Sequence, residues 1–420
     1  MKIIATSDWH LGNLFHGNDR LPEHEHFFRW LTQTIRKQQP DALLVAGDVF
    51  DNGNPSAAAQ TAYYRFLDEA TQCCPDMRII ITAGNHDSAN RLEAPRPLLT
   101  RHHVEIRGNV HRTWNADTKG WSIDYDDLMI PVKDSAGNEL IVLAVPFLRS
   151  DMVQGESFSQ GVNHFLRELT DRARQRHPGK PVLMMAHLYA SGANIANKDA
   201  SEKIVIGGQE QVAFEQWDNH PDYLTCGHIH NQQQIWGTRW ARYTGSVLPM
   251  SFVEKNYTHG VDLLTFRNDN TVDVQQLVYE PQHKLKELPD NEDGLEVKEL
   301  KKLIQSELRE PNEGESKEHA DYVKLNVRME KVDNDAVKQL EDLVNSKDAI
   351  CCKINRVHTL SSVVTLSGNT ALASIDDILR RDPMETLKEA FAVKHKSEMS
   401  DEQIALLDAL LKEDMNETQA

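Results

Sequence analysis

The sequence predicts an α/β fold over its first 280 residues, followed by a small α+β unit and a helical tail. Two observations support this fold class. Continuous apolar runs alternate with amphipathic stretches in the first part of the chain, a pattern typical of strands that are covered by helices on both faces. After residue 280 the composition changes to a charged, proline-containing stretch, which indicates a boundary between domains.

Short apolar runs mark the predicted strands of the first region. They cover residues 3–6, 43–46, 79–82, 140–145, 182–186 and 223–226. Helical spacing of apolar residues predicts one helix through Phe27, Leu31 and Ile35, a second that begins near Ser56 as its N-cap, and a third over 162–176. Residues 236–278 alternate in hydrophobicity between glycines, which predicts further strands.

The rest of the chain divides into a capping unit and a tail. Residues 285–320 have the composition of a linker, whereas 322–329 and 349–357 read as strands on either side of a helix over 333–344. Two helices are predicted near 374–394 and 400–412, the second with Ile404, Leu407, Leu410 and Leu411 on one face. The predicted domains are therefore 1–280, a capping α+β domain with its charged linker over 281–370, and C-terminal helices over 371–420.

Composition limits the possible functions. No apolar run is long enough to predict a membrane helix, and the five unpaired cysteines are typical of a cytoplasmic protein with reduced thiols.

The net charge of −18 argues against a broad basic surface for nucleic acid. However, residues 286–345 hold 17 acidic against 10 basic residues, so much of this charge lies outside the first region. Bound divalent ions would also reverse the local potential of an acidic site.

Potential metal ligands lie directly after five of the predicted strands. They are Asp8 and His10, Asp48 and Asp51, Asn85 with His86 and Asp87, His187, and His228 with His230. Carboxyl ends of neighbouring strands open into one crevice, so these groups can converge. Glycines before Asp48, Asn85 and His228 allow close approach of the backbone, and the period-2 spacing lets paired ligands point the same way if the segments stay extended. Mixed carboxylate, amide and imidazole ligands favour Mn, Fe or Zn.

Each motif taken alone has an ordinary structural explanation. An Asp-x-His after a strand is more often a turn with a surface histidine, Gly-Asp and Gly-Asn are common in turns, and His187 alone would be a core histidine. Asp51 could equally be a turn acid before Asn52 and Gly53. The joint occurrence of all five motifs, each at a strand end, is what indicates a metal site.

At these residues the chain resembles the calcineurin-like metallophosphoesterases, whose pattern is D-x-H, G-D-x-x-D, G-N-H-[DE], a lone H and G-H-x-H. The resemblance implies two packed mixed sheets flanked by helices. It also implies two divalent ions, one held by Asp8, His10, Asp48 and His230, and the other by Asp48, Asn85, His187 and His228. His86 would protonate the leaving group as a general acid, and Asp51 would orient it. Asp87 is expected to be structural and to cap the next helix. Such paired ions activate water for attack on phosphorus.

Further blocks are similar to the SbcD family, the nuclease subunits of bacterial SbcCD complexes. They include 6–12, 46–51, 146–149, 224–230 and 243–252. This resemblance implies an Mn²⁺-dependent double-strand exonuclease that also cuts single strands and hairpins as an endonuclease. It implies a homodimer through the nuclease domain, and C-terminal helices that bind an SbcC-type coiled-coil ATPase. The stripe of Ile404, Leu407 and Leu411 is the candidate docking face, although it could equally pack on the chain's own core.

A second function shares every ligand. A metallophosphatase for nucleotides or other small phosphoesters would use the same site, but it would have no need for a capping domain or a partner-binding tail. The sequence contains no G-x-x-x-x-G-K-[ST] loop, so ATP would have to be hydrolysed by the partner.

Overall fold

The computed structural model describes residues 1–115, 119–191, 193, 211–214, 217, 219–235, 237–267, 269, 271–311, 317–329 and 333–357. Its helices, numbered in chain order, are α1 (Leu21–Gln38), α2 (Ala57–Cys73), α3 (Ala89–Glu93), α4 (Arg96–Leu99), α5 (Phe158–Arg176), α6 (Val297–Glu307) and α7 (Asn334–Asn345). Its strands are β1 (Lys2–Thr6), β2 (Leu14–Phe15), β3 (Asn18–Asp19), β4 (Ala42–Ala46), β5 (Arg78–Thr82), β6 (Val104–Arg107), β7 (Arg112–Asn115), β8 (Gly120–Ile123), β9 (Met129–Lys133), β10 (Glu139–Ala144), β11 (Val182–His187), β12 (Tyr223–Gly227), β13 (Gln233–Gln234), β14 (Ala241–Tyr243), β15 (Gly260–Phe266), β16 (Val272–Val278), β17 (Leu285–Leu288), β18 (Leu295–Glu296), β19 (Asp321–Arg328) and β20 (Ala349–Val357).

Two six-stranded sheets form the body of the protein. The first has the order β16-β15-β1-β4-β5-β6, and the second β13-β14-β12-β11-β10-β9. In the first sheet β1, β4, β5 and β6 run parallel, and β15 pairs antiparallel with both β1 and β16. In the second sheet β14, β12, β11 and β10 run parallel, and β13 and β9 pair antiparallel at the two edges. Both sheets are therefore mixed, as the family resemblance implies.

Alternate residues of the strands point into different layers. Ile3 and Ala5 of β1 belong, with Val142 and Leu183 of the second sheet, to one core between the two sheets. Ile4 faces the other way and joins a core with α1 and α2, while α5 covers the outer face of the second sheet. This period-2 alternation gives four layers, helix–sheet–sheet–helix, and confirms the predicted fold class.

The predicted helices of this region are present with small differences at their ends. Ser56 is the N-cap of α2, and its side chain accepts a hydrogen bond from the backbone N–H of Ala59 at 3.1 Å. In α1, residues Phe27, Leu31 and Ile35 are buried on one face. Strands β6 and β9 and the β7–β8 hairpin were not predicted from the sequence, because these strands are short and lack a continuous apolar run.

A third sheet follows, built from β17, β18, β19 and β20 with α6 and α7 packed against it. The charged stretch 285–320 was predicted as a linker, but its described residues contain β17, β18 and α6. Leu300 and Ile304 of α6 are buried on its inner face while its lysines and glutamates cover the outer face, so high overall charge concealed an amphipathic helix. The strands at 321–328 and 349–357 and the helix between them confirm the predicted small α+β unit.

Residues 1–357 form one compact unit, and an aromatic cluster joins its small sheet to its body. Tyr322 of β19 stacks on Phe15 with ring centroids 5.2 Å apart, and Phe252 completes the cluster. The Tyr322 hydroxyl also donates to Oε1 of Glu23 on α1 at 3.2 Å. The two predicted tail helices, with Ile404, Leu407, Leu410 and Leu411, lie outside the described residues.

Two further expectations can be compared with the structure. All five cysteines are free thiols, as predicted from their spacing. Among the described residues, none of the helices has the length and apolarity that crossing a bilayer requires.

Candidate metal centre

The predicted ligands come together at the carboxyl ends of strands from both sheets. Asp8 and His10 follow β1, Asp48 follows β4, and Asn85 follows β5 in the first sheet. The second sheet contributes one ligand at the end of β11 and two after β12, namely His187, His228 and His230. Because the sheets are packed face to face, five loops from two sheets open into the same crevice.

Backbone hydrogen bonds hold the first two ligand loops side by side. The N–H of Asp8 donates to the carbonyl oxygen of Gly47 at 3.1 Å, and the N–H of His10 donates to that of Asp48 at 3.0 Å. Leu11 continues the pattern onto Val49 at 3.0 Å. The relative positions of Asp8, His10 and Asp48 are therefore fixed by the main chain and do not depend on side-chain packing alone.

Four ligand residues adopt a left-handed backbone. Asp8, His10, Asp48 and His228 have φ angles of 50°, 47°, 49° and 97°, a region that is costly for residues other than glycine. The period-2 spacing of Asp8-x-His10 and His228-x-His230 would align the paired side chains only in extended segments, and this condition is not met at Asp8, His10 or His228. Strain of this kind at one site is typical of functional loops held in place by their surroundings.

The glycines before Asp48, Asn85 and His228 allow close approach of the backbone to neighbouring groups of the site, as predicted. A Cβ atom on Gly47 would lie 2.3 Å from Nδ1 of His187, and one on Gly84 would lie 2.1 Å from Oδ1 of Asp48. A Cβ atom on Gly227 would lie 2.1 Å from the carbonyl oxygen of Ala46. Of the three, only Gly47 also has a positive φ, of 85°.

One group of ligand atoms is formed by Asp8, His10 and His230, whose candidate atoms all lie within 4.8 Å of one another. The two Nε2 atoms of His10 and His230 are 3.3 Å apart. Nδ1 of His230 faces Oε1 of Glu254 at 3.0 Å, and Nδ1 of His10 lies 3.7 Å from Oδ1 of Asp51. These carboxylates favour a proton on each Nδ1, which leaves the two Nε2 lone pairs directed at one point.

A second group is formed around the side-chain oxygen of Asn85. This Oδ1 atom lies 2.9 Å from Nε2 of His187 and 3.0 Å from Nδ1 of His228. Nδ1 of His187 donates to the carbonyl oxygen of Ala46 at 2.9 Å, so Nε2 is the nitrogen of this ring that could coordinate a metal. Burial, with the neighbouring charge on His187, lowers the pKa of His228 to about 3, which keeps that ring neutral and able to coordinate a metal.

Asp48 lies between the two groups. Its Oδ2 atom is 3.7 Å from Nε2 of His10 and 3.4 Å from Nε2 of His187. Burial opposes ionisation of Asp48, but the facing imidazoles outweigh it and hold its pKa far below the usual range. Asp48 is therefore a carboxylate placed to be shared by two cations, which need such a ligand to offset their mutual repulsion.

Nitrogen lone pairs and carboxylate oxygens are thus crowded together with too few protons between them. His10 and His230 direct lone pairs at each other, and Nε2 of His187 faces two oxygens. Without a cation this arrangement is repulsive unless a ring takes up a proton. Mixed oxygen and nitrogen donors of this kind fit divalent transition metals, so the residues present fit two ions.

His86 lies beside this site with its ring centroid 4.9 Å from that of His10. Its backbone N–H donates to Oδ1 of Asp48 at 2.9 Å, and Nδ1 contacts the main-chain carbonyl oxygen of Asp51 at 2.8 Å. The carboxylate of Asp51 instead accepts from Asn13 at 2.9 Å and faces His10. Asp51 therefore contacts His86 through its backbone, whereas the resemblance suggested its side chain.

Two residues contribute to the site that sequence reasoning missed. Asp87, expected to cap the next helix, instead accepts backbone hydrogen bonds from Val49, Phe50 and Gly84 at 2.9–3.1 Å. It therefore ties the Asp48 loop to the Asn85 loop, and burial beside Asp48 raises its pKa to about 6. Glu254 accepts a hydrogen bond from Nδ1 of His230. In the sequence, it could have been found only from its position just after the block at 243–252.

The four-layer fold and the position of Asp48 between two groups of ligand atoms fit a metal-dependent phosphoesterase. In agreement, residues 1–232 match the family model for calcineurin-like phosphoesterases. The chain is also 36% identical over 275 residues to SbcD, the D component of the nuclease SbcCD, of Rhodobacter capsulatus, covering 63% of this chain and 66% of that protein. It is 33% identical over 291 residues to the SbcD protein of Escherichia coli K12, covering 66% and 68%. The SbcD protein of Bacillus subtilis is 31% identical over 274 residues, covering 63% and 66%.

The chain therefore belongs to the SbcD family of nucleases, within the calcineurin-like phosphoesterases. These matches span about two thirds of the length of the curated relatives.

Proposed function

We propose that this chain is a DNA nuclease that hydrolyses phosphodiester bonds with two Mn²⁺ ions. It would act as an exonuclease on double strands and as an endonuclease on single strands and hairpins, in DNA end processing, repair and recombination. The observation that carries the proposal is the position of Oδ2 of Asp48, within 3.7 Å of one ligand group and 3.4 Å of the other. Relatives named as components of a nuclease share this region of the chain.

The proposed ligands divide into two sets. Asp8, His10, Asp48 and His230 would hold one ion, and Asp48, Asn85, His187 and His228 would hold the other. When bound, the two ions would supply an activated water and stabilise charge on the phosphate oxygens. The chain's own residues would fix the positions of both, because the backbones of the Asp8 and Asp48 loops are hydrogen-bonded to each other. The side chain of Asp87 joins the Asn85 loop to the Asp48 loop.

His86 is the proposed general acid. The Asp51 carbonyl oxygen accepts from Nδ1, which leaves Nε2 as the nitrogen available to substrate. A proton given from Nε2 to the departing 3′ or 5′ oxygen would prevent an alkoxide from forming. Asp51 would act on this histidine through its main chain, while its carboxylate orients His10.

The acidic composition of the chain affects how DNA could bind. Two divalent ions add about four positive charges at the crevice, enough to attract a single phosphodiester but not to cover a long duplex. We propose that an SbcC-type coiled-coil ATPase supplies the remaining contacts and the ATP hydrolysis. Residues 371–420 would bind that partner, and two chains would pair through their nuclease domains to give a heterotetramer in the cytoplasm.

A panel of substrates tests this function. The purified chain with Mn²⁺ is offered bis-p-nitrophenyl phosphate, a mononucleotide and hairpin DNA side by side. Cleavage of the diester and the hairpin is expected, with little release of phosphate from the mononucleotide. The Asp48→Asn variant, purified in parallel, controls for contaminating nucleases. Hydrolysis confined to the monoester would contradict the proposal and favour a nucleotide or small-molecule metallophosphatase.

A further inference from the structure

Glu254 is a fully buried acid in the 3₁₀ helix Phe252–Asn256, next to a proposed ligand. Its Oε1 atom accepts from Nδ1 of His230 at 3.0 Å. Its Oε2 atom accepts from the backbone N–H of Met250 at 2.8 Å. A buried carboxylate is costly unless its oxygens are well hydrogen-bonded, so this acid is held in one geometry.

We propose that Glu254 is a positioning residue for the metal ion that Asp8, His10, Asp48 and His230 would hold. It acts by fixing the tautomer and orientation of His230. This inference rests on the metal site of the proposed function. With Nδ1–H bound to a carboxylate, Nε2 of His230 keeps its lone pair. That lone pair points to within 3.3 Å of Nε2 of His10, where the ion would lie. A negatively charged acceptor also makes the opposite nitrogen a stronger ligand.

The two contacts explain why this residue is an acid. Both carboxylate oxygens face an N–H donor, so a glutamine would have to place its NH₂ group against either Met250 or His230. Against His230, the ring would adopt the other tautomer and carry a proton on the coordinating atom. His187 in the other ligand set is held instead by the neutral carbonyl oxygen of Ala46. Loss of Glu254 should therefore lower the affinity for one ion and leave the affinity for the other unchanged.

The segment that carries Glu254 is anchored by the small sheet. Nζ of the next residue, Lys255, lies 2.8 Å from Oε2 of Glu287 on β17. Phe252, two residues earlier, packs against Phe15 and Tyr322. The capping unit thus helps to fix the position of Glu254, and through it the orientation of His230.

Metal titration of the metal-free chain of 420 residues tests this role. Isothermal calorimetry with Mn²⁺ compares wild type, Glu254→Gln and Glu254→Asp. We expect wild type to bind two ions, and Glu254→Gln to bind one of them about 10–100-fold more weakly while the other is unchanged. Nuclease activity of the variant should recover as Mn²⁺ is raised, because a positioning residue takes no part in the chemistry. Asp321→Asn, which removes a buried acid paired with Lys286 at 2.8 Å, is the matched control.

A second measurement needs no metal. In ¹⁵N-histidine NMR spectra of the metal-free chain, His230 should be protonated on Nδ1 in wild type, with the other tautomer appearing in Glu254→Gln. Wild-type affinity for both ions in Glu254→Gln, or a wild-type His230 protonated on Nε2, would overturn the inference. Neither measurement uses DNA. A chain that binds two ions without cutting DNA would refute the proposed function and leave this inference standing.

Discussion

Oδ2 of Asp48 lies 3.4 Å from Nε2 of His187, and both groups are buried. Burial alone would lower the pKa of His187, but the charge of Asp48 and its hydrogen bond outweigh it and raise that pKa to about 9. His187 is therefore protonated at neutral pH in the metal-free chain. An ion bound at the same nitrogen must displace this proton.

The first prediction is that metal binding releases a proton from His187. The calorimetric enthalpy of Mn²⁺ binding at pH 8 should vary with the ionisation enthalpy of the buffer, by about one proton more in wild type than in His187→Gln. Apparent affinity should rise with pH up to about 9, because deprotonation then no longer competes. Equal proton release by wild type and variant would contradict this prediction.

The same pair affects the stability of the metal-free chain. Because the folded-state pKa of His187 is raised above its ordinary 6.5, its contribution to the free energy of unfolding is fully present below pH 6.5. That contribution is lost as the pH rises through about 9. Urea unfolding of the metal-free chain between pH 6 and 10 should show this decline, and His187→Gln should reduce it. A decline of equal size in the variant would assign the effect to other groups.

His86→Ala should separate catalysis from metal binding. The variant keeps the backbone N–H that donates to Asp48, so both ions should remain bound. Turnover of hairpin DNA should fall by about 10²–10⁴-fold, the usual contribution of a general acid. Activity and Mn²⁺ stoichiometry are measured on the same preparation. A parallel loss of bound metal would show that His86 is a ligand and not the acid.

Gly47→Ala tests the close approach of the backbone to His187. The new methyl group would lie 2.3 Å from Nδ1 of His187, at a φ of 85°. Gly179→Ala is the matched control, since its φ is 76° and nothing lies within 4 Å of the added atom. The control should lose about 1–2 kcal/mol from backbone strain alone. Gly47→Ala should lose more in thermal unfolding and should bind Mn²⁺ less tightly, whereas similar behaviour of both variants would exclude the steric explanation.

Truncation after Thr370 tests the role of the tail. The shortened chain keeps every proposed ligand, so metal binding and Mn²⁺-dependent nicking should be unchanged. Association with the SbcC-type ATPase should be abolished in size-exclusion chromatography of the mixed proteins. Co-elution of the truncated chain with the ATPase would rule out residues 371–420 as the anchor.

Sequence reasoning located the ligand loops because each follows a continuous apolar strand, a pattern that local composition reveals. The left-handed backbone of Asp8 and His10 could not be read in the same way, since it depends on hydrogen bonds to Gly47 and Asp48 some 38–39 positions away in the chain. The link between Glu254 and His230 was missed for a related reason. It is formed by tertiary packing of a 3₁₀ helix, and no local pattern marks a buried acid as the partner of a histidine.

The charged stretch after residue 285 shows an error of another kind, because a segment that contains a helix was predicted as a linker. Its helix α6 buries few residues, Leu300 and Ile304 among them, and the many lysines and glutamates around them suggested a solvated connection. Charge measured over a window hides a narrow apolar stripe, whereas the period of that stripe would have indicated a helix.

The ligands extend from Asp8 near the start of the chain to His230, and they are drawn from both sheets. During biosynthesis, a nascent chain that extends only through β1, β4 and β5 would carry four of the seven proposed ligands, so neither proposed set would be complete. Loading must then wait for the second sheet to dock. A bound divalent ion would then report that the two sheets have come together, and a shorter fragment would not be hydrolytically competent.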